Sequence, residues 1–225
     1  MHYEKGWVKS LRETGNSSYR ILLSEGQGEY EEKKSRFIAT VRSCQTEEEA
    51  TAFIEEMKKK YWDARHNCSA FCIGGRGELT RCSDDGEPSG TAGRPMLEVL
   101  LGSGIRNVAV VVTRYFGGVL LGTGGLVRAY TQAVKEGLAA CKTGVMRPGT
   151  ELQIDLEYND VGKILYVLGQ RGLEPLESNY GEAVTLKVLL PREDHDGFVK
   201  EVTEATAGRA KFQKLGEYDF VQKEK

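Results

Sequence analysis

Hydrophobic and polar positions alternate most regularly in the last third of the chain. Residues 150–158 alternate as a half-buried strand does, and residues 160–171 carry apolar side chains at helical spacing. The same two periods recur downstream, which predicts strands at 173–180 and 182–190 around a hairpin turn at Gly181, a helix at 192–207 and a strand at 209–220. The order β-α-β-β-α-β is that of a ferredoxin-like domain.

The earlier part of the chain has a different pattern. The spacing predicts a helix over 46–61, which begins with a capping box formed by Thr46 and Glu49. Apolar and β-branched runs predict strands at 36–44, 67–73, 79–83 and 107–116, and helices are predicted at 96–101 and 126–140. The Gly- and Pro-containing stretch 144–149 is interpreted as a linker or a domain boundary. We therefore expect an α+β protein with an N-terminal domain at 1–144 and a C-terminal domain at 145–225.

Composition narrows the class of protein. The chain has 225 residues, of which 40% are hydrophobic and 28% charged, and its formal net charge is -2. A strongly basic nucleic-acid binder is excluded, so any anionic partner must be held by a local patch. Lys and Arg are in slight excess in residues 1–144, whereas acidic residues are in excess in 145–225.

No apolar run is long enough to cross a membrane or to serve as a secretory signal, because the longest aliphatic run is Val108–Val112. The five cysteines are an odd set without CxxC spacing, as expected in a reducing compartment. We expect a cytoplasmic protein with no membrane partner.

Residues 83–95 (SDDGEPSGTAGRP) form a polar loop that concentrates hydrogen-bonding side chains. One interpretation is a divalent-metal site, since carboxylates are hard ligands. A second is a shaped surface for a partner. A third is a turn whose Asp and Ser side chains only satisfy their own backbone. The side chains concerned are Asp84, Asp85, Glu87, Ser89, Thr91 and Arg94.

Residues 112–130 (VTRYFGGVLLGTGGLVRAY) carry a strand through a glycine-rich turn into a helix. Free N–H groups at a helix start attract anions, and glycines let an anion approach the backbone. Arg114 before the turn and Arg128 within the helix supply full charges. The alternative is that the glycines permit tight packing while Thr123 caps the helix. Neither a Walker A nor a Rossmann motif is present. The glycines concerned are Gly117, Gly118, Gly124 and Gly125.

His66, Cys68 and Cys72 could be interpreted as metal ligands or as a Cys–His nucleophile. A fourth zinc ligand is not evident, and no third triad member can be identified. Buried thiols beside a hydrogen-bonded histidine explain the pattern more simply. We predict no catalytic residue, no metal and no cofactor.

The strings DDGEPSGTAGRP (84–95) and VVVTRYFGGVLLGTGGLVRAY (110–130), with His66-x-Cys68-x-Ala70, closely resemble the signature of the IMPACT/YigZ family. The likeness covers roughly residues 20–140, and residues 150–220 resemble the second domain of bacterial members. It implies that the first domain is similar to a fold shared by a ribosomal protein and domain IV of elongation factor G, and the second to domain V of that factor. The family surface that it implies comprises His66, Asp84, Asp85, Glu87, Ser89, Thr91, Arg94, Arg114, Gly117, Gly118, Gly124, Gly125 and Arg128.

The resemblance also implies a role. Eukaryotic IMPACT relatives act in translational control by occupying the activator protein of an initiation-factor kinase. Three hypotheses follow for this chain. It could bind RNA, the ribosome or the translation machinery through an anion-binding surface on the N-terminal domain; it could act on or bind a small phosphorylated or nucleotide ligand; or it could regulate translation by protein contacts alone.

Overall fold

The computed structural model describes residues 18–223, with side chains described to residue 221. The described chain forms two compact units, residues 19–145 and residues 146–222. Both units combine helices with a sheet, so the predicted α+β class is confirmed.

The N-terminal unit is built around an antiparallel sheet of five strands in the order β2-β3-β6-β4-β5. Helix α1 packs on one face of this sheet, over Phe71 and Val111. Helices α2 and α3 cover the other face, over Phe37, Cys68 and Val112. The elements are β1 (Tyr19–Leu22), β2 (Gly26–Glu32), β3 (Ser35–Ser43), α1 (Glu47–Lys60), β4 (His66–Ile73), β5 (Leu79–Ser83), α2 (Gly93–Ser103), β6 (Val108–Tyr115) and α3 (Gly122–Ala139).

The alternation of β4 and β6 decides which side chains reach the α2–α3 face. Cys68, Ala70 and Cys72 of β4 point to this face, as do Val108, Val110 and Val112 of β6. His66 and Arg114 continue the two rows at the end of the sheet, where they are register partners. The sheet therefore sets an imidazole beside a guanidinium at one end of the α2–α3 layer.

Helix α1 begins as predicted. The Thr46 hydroxyl accepts the Glu49 amide N–H at 3.2 Å, and the Glu49 carboxylate accepts the amide of Gln45 at 2.7 Å. The carboxylate thus reaches one residue further back than a capping box requires, and it still satisfies an N–H group at the start of the helix.

The C-terminal unit has the predicted ferredoxin-like topology. Within this unit β7 pairs with both β9 and β10, and β9 also pairs with β8, so the first strand lies between the last and the third. Leu152, Ile164, Leu186 and Phe198 are among the apolar side chains in its core. The elements are β7 (Thr143–Leu156), α4 (Tyr158–Gln170), β8 (Glu177–Tyr180), β9 (Val184–Pro191), a 3-10 turn (Arg192–Asp194), α5 (His195–Ala205) and β10 (Lys211–Lys223).

Two predictions about elements are wrong. The stretch 144–149 is part of strand β7 rather than a linker, although it contains Pro148 and Gly149, and the boundary between the two compact units falls within it, between residues 145 and 146. Helix α3 begins at Gly122, four residues before the predicted start. Its first turn therefore contains three glycines and Thr123, which were predicted to lie in the preceding turn. A glycine costs a helix only about 1 kcal/mol relative to alanine, which the packing of α3 against the sheet offsets.

All five cysteines lie within the described residues and are free thiols. Cys44, Cys68 and Cys72 are buried, Cys141 is half-buried, and Cys82 is exposed on β5. Burial raises the pKa of Cys44 to about 11. Within the described residues no helix is both long and apolar enough to cross a membrane.

Candidate functional site

The loop over residues 84–92 is organised by the carboxylate of Asp84. One oxygen accepts the amides of Ala92 at 3.0 Å and Gly93 at 2.8 Å, and the other accepts the amide of Gly90 at 2.8 Å. Asp84 therefore closes the loop and satisfies the start of helix α2, whose own first residues supply no side-chain cap. This use leaves Asp84 as a structural residue of the loop.

Asp85 ties the same loop to the start of β4. Its carboxylate accepts the amide of Asn67 at 2.7 Å, and its carbonyl oxygen lies 3.0 Å from Nδ1 of His66. A carbonyl can only accept, so Nδ1 carries the proton and Nε2 is an acceptor in the neutral ring. His66 is thus oriented by the loop, and its Nε2 has no hydrogen-bond partner among the described residues.

The two sequence segments that carry the family signature meet at Glu87. Its Oε1 accepts from Nη1 of Arg114 at 2.7 Å and from the hydroxyl of Tyr130 at 2.8 Å. The Tyr130 oxygen also lies 3.3 Å from Sγ of Cys68. Burial raises the pKa of the Cys68 thiol to about 12, so this sulfur is a neutral thiol rather than a nucleophile.

Arg114 does not lie where the sequence-based interpretation requires it. The side chains of Arg114 and Glu87 are only 7% and 3% exposed, so the guanidinium is enclosed in an internal ion pair. It also lies 5.6 Å from the ring centre of Phe37 and 5.7 Å from that of Phe116. Arg114 is a buried cation that stabilises the loop through Glu87, and in this arrangement its guanidinium is not accessible to a phosphate.

The glycine-rich turn divides into packing positions and open positions. A Cβ at Gly117 would lie 2.0 Å from the carbonyl carbon of Lys34, so this glycine is needed for packing. Gly118 and Gly122 have φ angles of 85° and 72°, which favour glycine. A Cβ at Gly125 would lie 3.0 Å from Cβ of Leu121. At Gly124 its nearest neighbour would be Nη1 of Arg128 at 3.7 Å, so the backbone there is open.

Helix α3 begins without a side-chain cap. Its N-cap residue is Leu121, so the alternative in which Thr123 caps the helix is wrong on this point. Gly122, Thr123 and Gly124 are exposed, and the first N–H groups of any helix lack acceptors within it. The exposed guanidinium of Arg128 lies beside this turn.

Further cations border the same end of the N-terminal unit. Lys33 and Lys34 are exposed in the turn between β2 and β3, which the backbone of Gly117 touches. Arg65, just before β4, is also exposed. No ion pair of Lys33, Lys34, Arg65 or Arg128 is found among the described residues. Arg94, in contrast, is paired with Glu98 at 3.0 Å.

A cavity of about 490 Å³ opens at this end of the sheet, lined by residues 63–66, residues 114–116 and Leu120. Phe116 is 55% exposed and Leu120 is 83% exposed, although both are large apolar side chains. Arg65, Phe116, Leu120 and Tyr130 were not predicted as site residues from the sequence. Phe116 could have been noticed, because this aromatic residue stands where the continuous apolar run of β6 gives way to glycines.

The remaining loop residues take structural or exposed positions. The Thr91 hydroxyl donates to the carbonyl of Pro88 at 2.6 Å, and Ser89 is exposed. In the part of the chain that the structure describes, no three His, Cys, Asp or Glu side chains are placed to hold a metal ion. Asp84, Asp85 and Glu87 each bind protein groups instead.

Comparisons with known proteins match both units. The Impact N-terminal domain matches residues 33–138, and a domain of unknown function, DUF1949, matches residues 154–209. IMPACT family member YvyE of Bacillus subtilis is 39% identical over 92% of this chain and 94% of its own length. The chain belongs to the IMPACT family. IMPACT family member YigZ of Escherichia coli is 44% identical over 71% of this chain and 79% of its own length.

A solved structure supports the fold. A crystal structure described only as that of a hypothetical protein aligns with a TM-score of 0.56 at 37% identity, and it covers 88% of this chain and 98% of the solved one. Family membership thus rests on both units of the chain, whereas the names of these relatives assign no activity to the site.

The lowered pKa values of two carboxylates make the stability of the fold depend on pH. Partial burial raises the pKa of Asp84, but the amides of Gly90, Gly93 and Ala92 together lower it further, so it lies below its ordinary value. A hydrogen bond from Lys163, with help from Arg209, lowers the pKa of Asp160 in the C-terminal unit. A lowered folded-state pKa means that the stabilisation is present above the unfolded value of about 3.9 and is lost as the pH falls through the folded one.

We therefore expect the melting temperature to fall steadily as the pH is lowered from about 5 towards 2. Thermal denaturation of the wild type and of Asp84→Asn over this range checks it. The melting temperature of the variant should be lower than that of the wild type at about pH 5, and it should fall less as the pH is lowered. An unchanged melting temperature of the wild type between about pH 5 and 2 would contradict the prediction.

Proposed function

We propose that this protein binds RNA, on the ribosome or elsewhere in the translation machinery, through an anion-binding surface at the start of helix α3. The observation that carries the proposal is the uncapped and exposed first turn of α3 at Gly122, Thr123 and Gly124. Its N–H groups and the helix dipole favour a phosphate, and the guanidinium of Arg128 lies alongside.

The surrounding charge supports the same proposal. Lys33, Lys34 and Arg65 are exposed near this end of the sheet, while the chain as a whole has a net charge of -2. Binding would therefore depend on a local concentration of positive charge rather than on the field of the whole molecule. Membership of the family that includes eukaryotic IMPACT proteins favours a partner in translation.

Replacing Arg128 with glutamine should weaken RNA binding and make it less dependent on salt. Loss of one phosphate contact lowers the magnitude of the slope of log K against log salt by about 1. Filter binding at several salt concentrations measures this slope. Arg76→Gln is the control, because Arg76 is also exposed but pairs with Glu78 and follows β4 at the opposite end of the sheet. Equal losses in the two variants, or no RNA binding by the wild type, would contradict the proposal.

Gly124→Ala separates binding from folding. The added methyl group meets nothing closer than the movable end of Arg128, and alanine favours a helix over glycine by about 1 kcal/mol. We expect the variant to be as stable as the wild type or slightly more stable, whereas RNA binding weakens because the methyl group covers the approach to the amides. Chemical denaturation and filter binding on the same preparation check both halves. Unchanged RNA affinity would show that the backbone at Gly124 is not approached.

A free phosphorylated ligand is the second candidate, because the cavity volume of about 490 Å³ is suited to a small molecule. A thermal-shift screen with ATP, GTP and Mg²⁺ tests it. A shift that the Arg128→Gln variant loses would favour a nucleotide ligand over RNA.

A further inference from the structure

The cavity beside the proposed anion surface has walls that the fold holds in place. His66 and Arg114 are register partners in neighbouring strands, and the ion pair with Glu87 fixes the guanidinium. The volume of about 490 Å³ lies within the range of about 300–1,000 Å³ that small-molecule sites occupy. A single nucleotide is a ligand of this size.

One wall offers an aromatic face. The guanidinium of Arg114 lies 5.7 Å from the ring centre of Phe116, and more than half of the Phe116 side chain is still open to solvent. This cation–π contact with Arg114 helps to fix the orientation of the Phe116 ring. Leu120, which is 83% exposed, adds apolar surface to the same cavity. An oriented and uncovered ring is suited to stacking on a base.

Polar groups of the cavity complement the edge of a base. Nε2 of His66 is an acceptor in the neutral ring, because Nδ1 donates to the carbonyl of Asp85. Arg65 supplies a positive charge at the wall. The cavity thus combines an acceptor, a cation and a stacking face.

We infer that this cavity holds one unstacked nucleotide of a single-stranded RNA whose phosphates lie on the proposed anion surface. The inference rests on the proposed function and names the form of RNA. A duplex keeps its bases stacked and paired, so it cannot place a base against Phe116, whereas single strands splay their bases onto aromatic side chains. The exposed cations match an anionic chain better than they match an apolar peptide.

Filter binding with the full chain tests the inference. The probe is an oligoribonucleotide of about ten nucleotides, used alone and annealed to its complement. The single strand should bind the wild type at least about tenfold more tightly than the duplex, and Phe116→Leu should lose about tenfold in affinity for the single strand only. Phe116→Tyr, which keeps the ring, should bind as the wild type does. Tyr166→Ala is the control, since Tyr166 is an exposed aromatic residue of the C-terminal unit.

The failures can be told apart. If neither form of RNA binds, the proposed function is wrong and the inference with it. If single strand and duplex bind equally and Phe116→Leu changes neither, the anion surface stands and the base-binding cavity is wrong. If Phe116→Leu changes the oligomeric state, measured by light scattering, and leaves RNA affinity unchanged, the exposed ring is a contact between copies of the chain and the inference is again wrong.

Discussion

Replacing Glu87 with alanine is expected to lower the free energy of unfolding of the N-terminal unit by about 3–5 kcal/mol. The substitution leaves Arg114, only 7% exposed, without its carboxylate, and it removes the acceptor of the Tyr130 hydroxyl as well. Breaking a buried pair from one side is costly because the other charge stays enclosed. Denaturant unfolding followed by circular dichroism measures the loss.

The control is the exposed pair of Arg94 and Glu98 in the same unit. Glu98→Ala breaks an ion pair of 3.0 Å, but both partners are largely in water, so the loss should stay below about 1 kcal/mol. In a double-mutant cycle, Arg114→Met should restore part of the stability that Glu87→Ala removes, because the unpaired charge is then absent. A loss for Glu87→Ala no greater than that for Glu98→Ala would show that Arg114 is not enclosed as described.

Replacing Asp84 with alanine is expected to cost about 2–4 kcal/mol and to loosen the loop over residues 84–92. The substitution removes the acceptor of three amide N–H groups at once, two of which belong to the buried start of helix α2. Hydrogen exchange should then accelerate at Gly90, Ala92 and Gly93, whereas amides at the centre of β6 stay protected.

Two further variants serve as controls for Asp84→Ala. Asp84→Asn keeps one acceptor oxygen and should lose less stability than Asp84→Ala. Ser89→Ala changes an exposed side chain of the same loop and should stay within about 0.5 kcal/mol of the wild type. Protection at Ala92 and Gly93 that survives Asp84→Ala would mean that the carboxylate does not hold the start of α2.

The C-terminal topology could be predicted from sequence because each element there has a clean period. Leu152, Ile154 and Leu156 face the core, and the intervening residues do not, so the alternation is visible in the chain. A helix with an apolar face follows each of the two central strands, β7 and β9. The order of elements then leaves the ferredoxin-like arrangement as the natural solution.

Strand β2 was not predicted, because two of its inward positions, Gly26 and Gly28, carry no side chain. A Cβ at Gly28 would lie 2.4 Å from the backbone of Glu136 in helix α3, so the strand contributes backbone rather than apolar side chains to this contact. Only Tyr30 gives an apolar signal in the sequence GQGEYEE. A pattern of hydrophobic positions cannot report a contact that requires the absence of side chains.

The two segments of the site could be predicted from the sequence, but the contacts between their side chains could not. The sequence shows carboxylates in one loop and arginines around a glycine turn, yet it cannot show which groups pair. Glu87 withdraws Arg114 from solvent through a contact between two distant segments of the chain, and spacing alone does not show that pairing. The carboxylate of Asp84 is used by backbone amides of its own loop, and the sequence does not show the fold of that loop. Phe116 is open because the strand ends one residue before it and the sheet no longer covers its side chain.

The five cysteines differ in exposure, so a thiol reagent is expected to react with the native chain at one position. Cys44, Cys68 and Cys72 are enclosed, and burial raises the pKa of Cys141 as well, while Cys82 is exposed two residues before Asp84. A maleimide dye would therefore attach at Cys82 without any engineered substitution. Its emission would then report on the neighbouring loop directly, so that ligand binding and loop opening could be followed in the unaltered sequence.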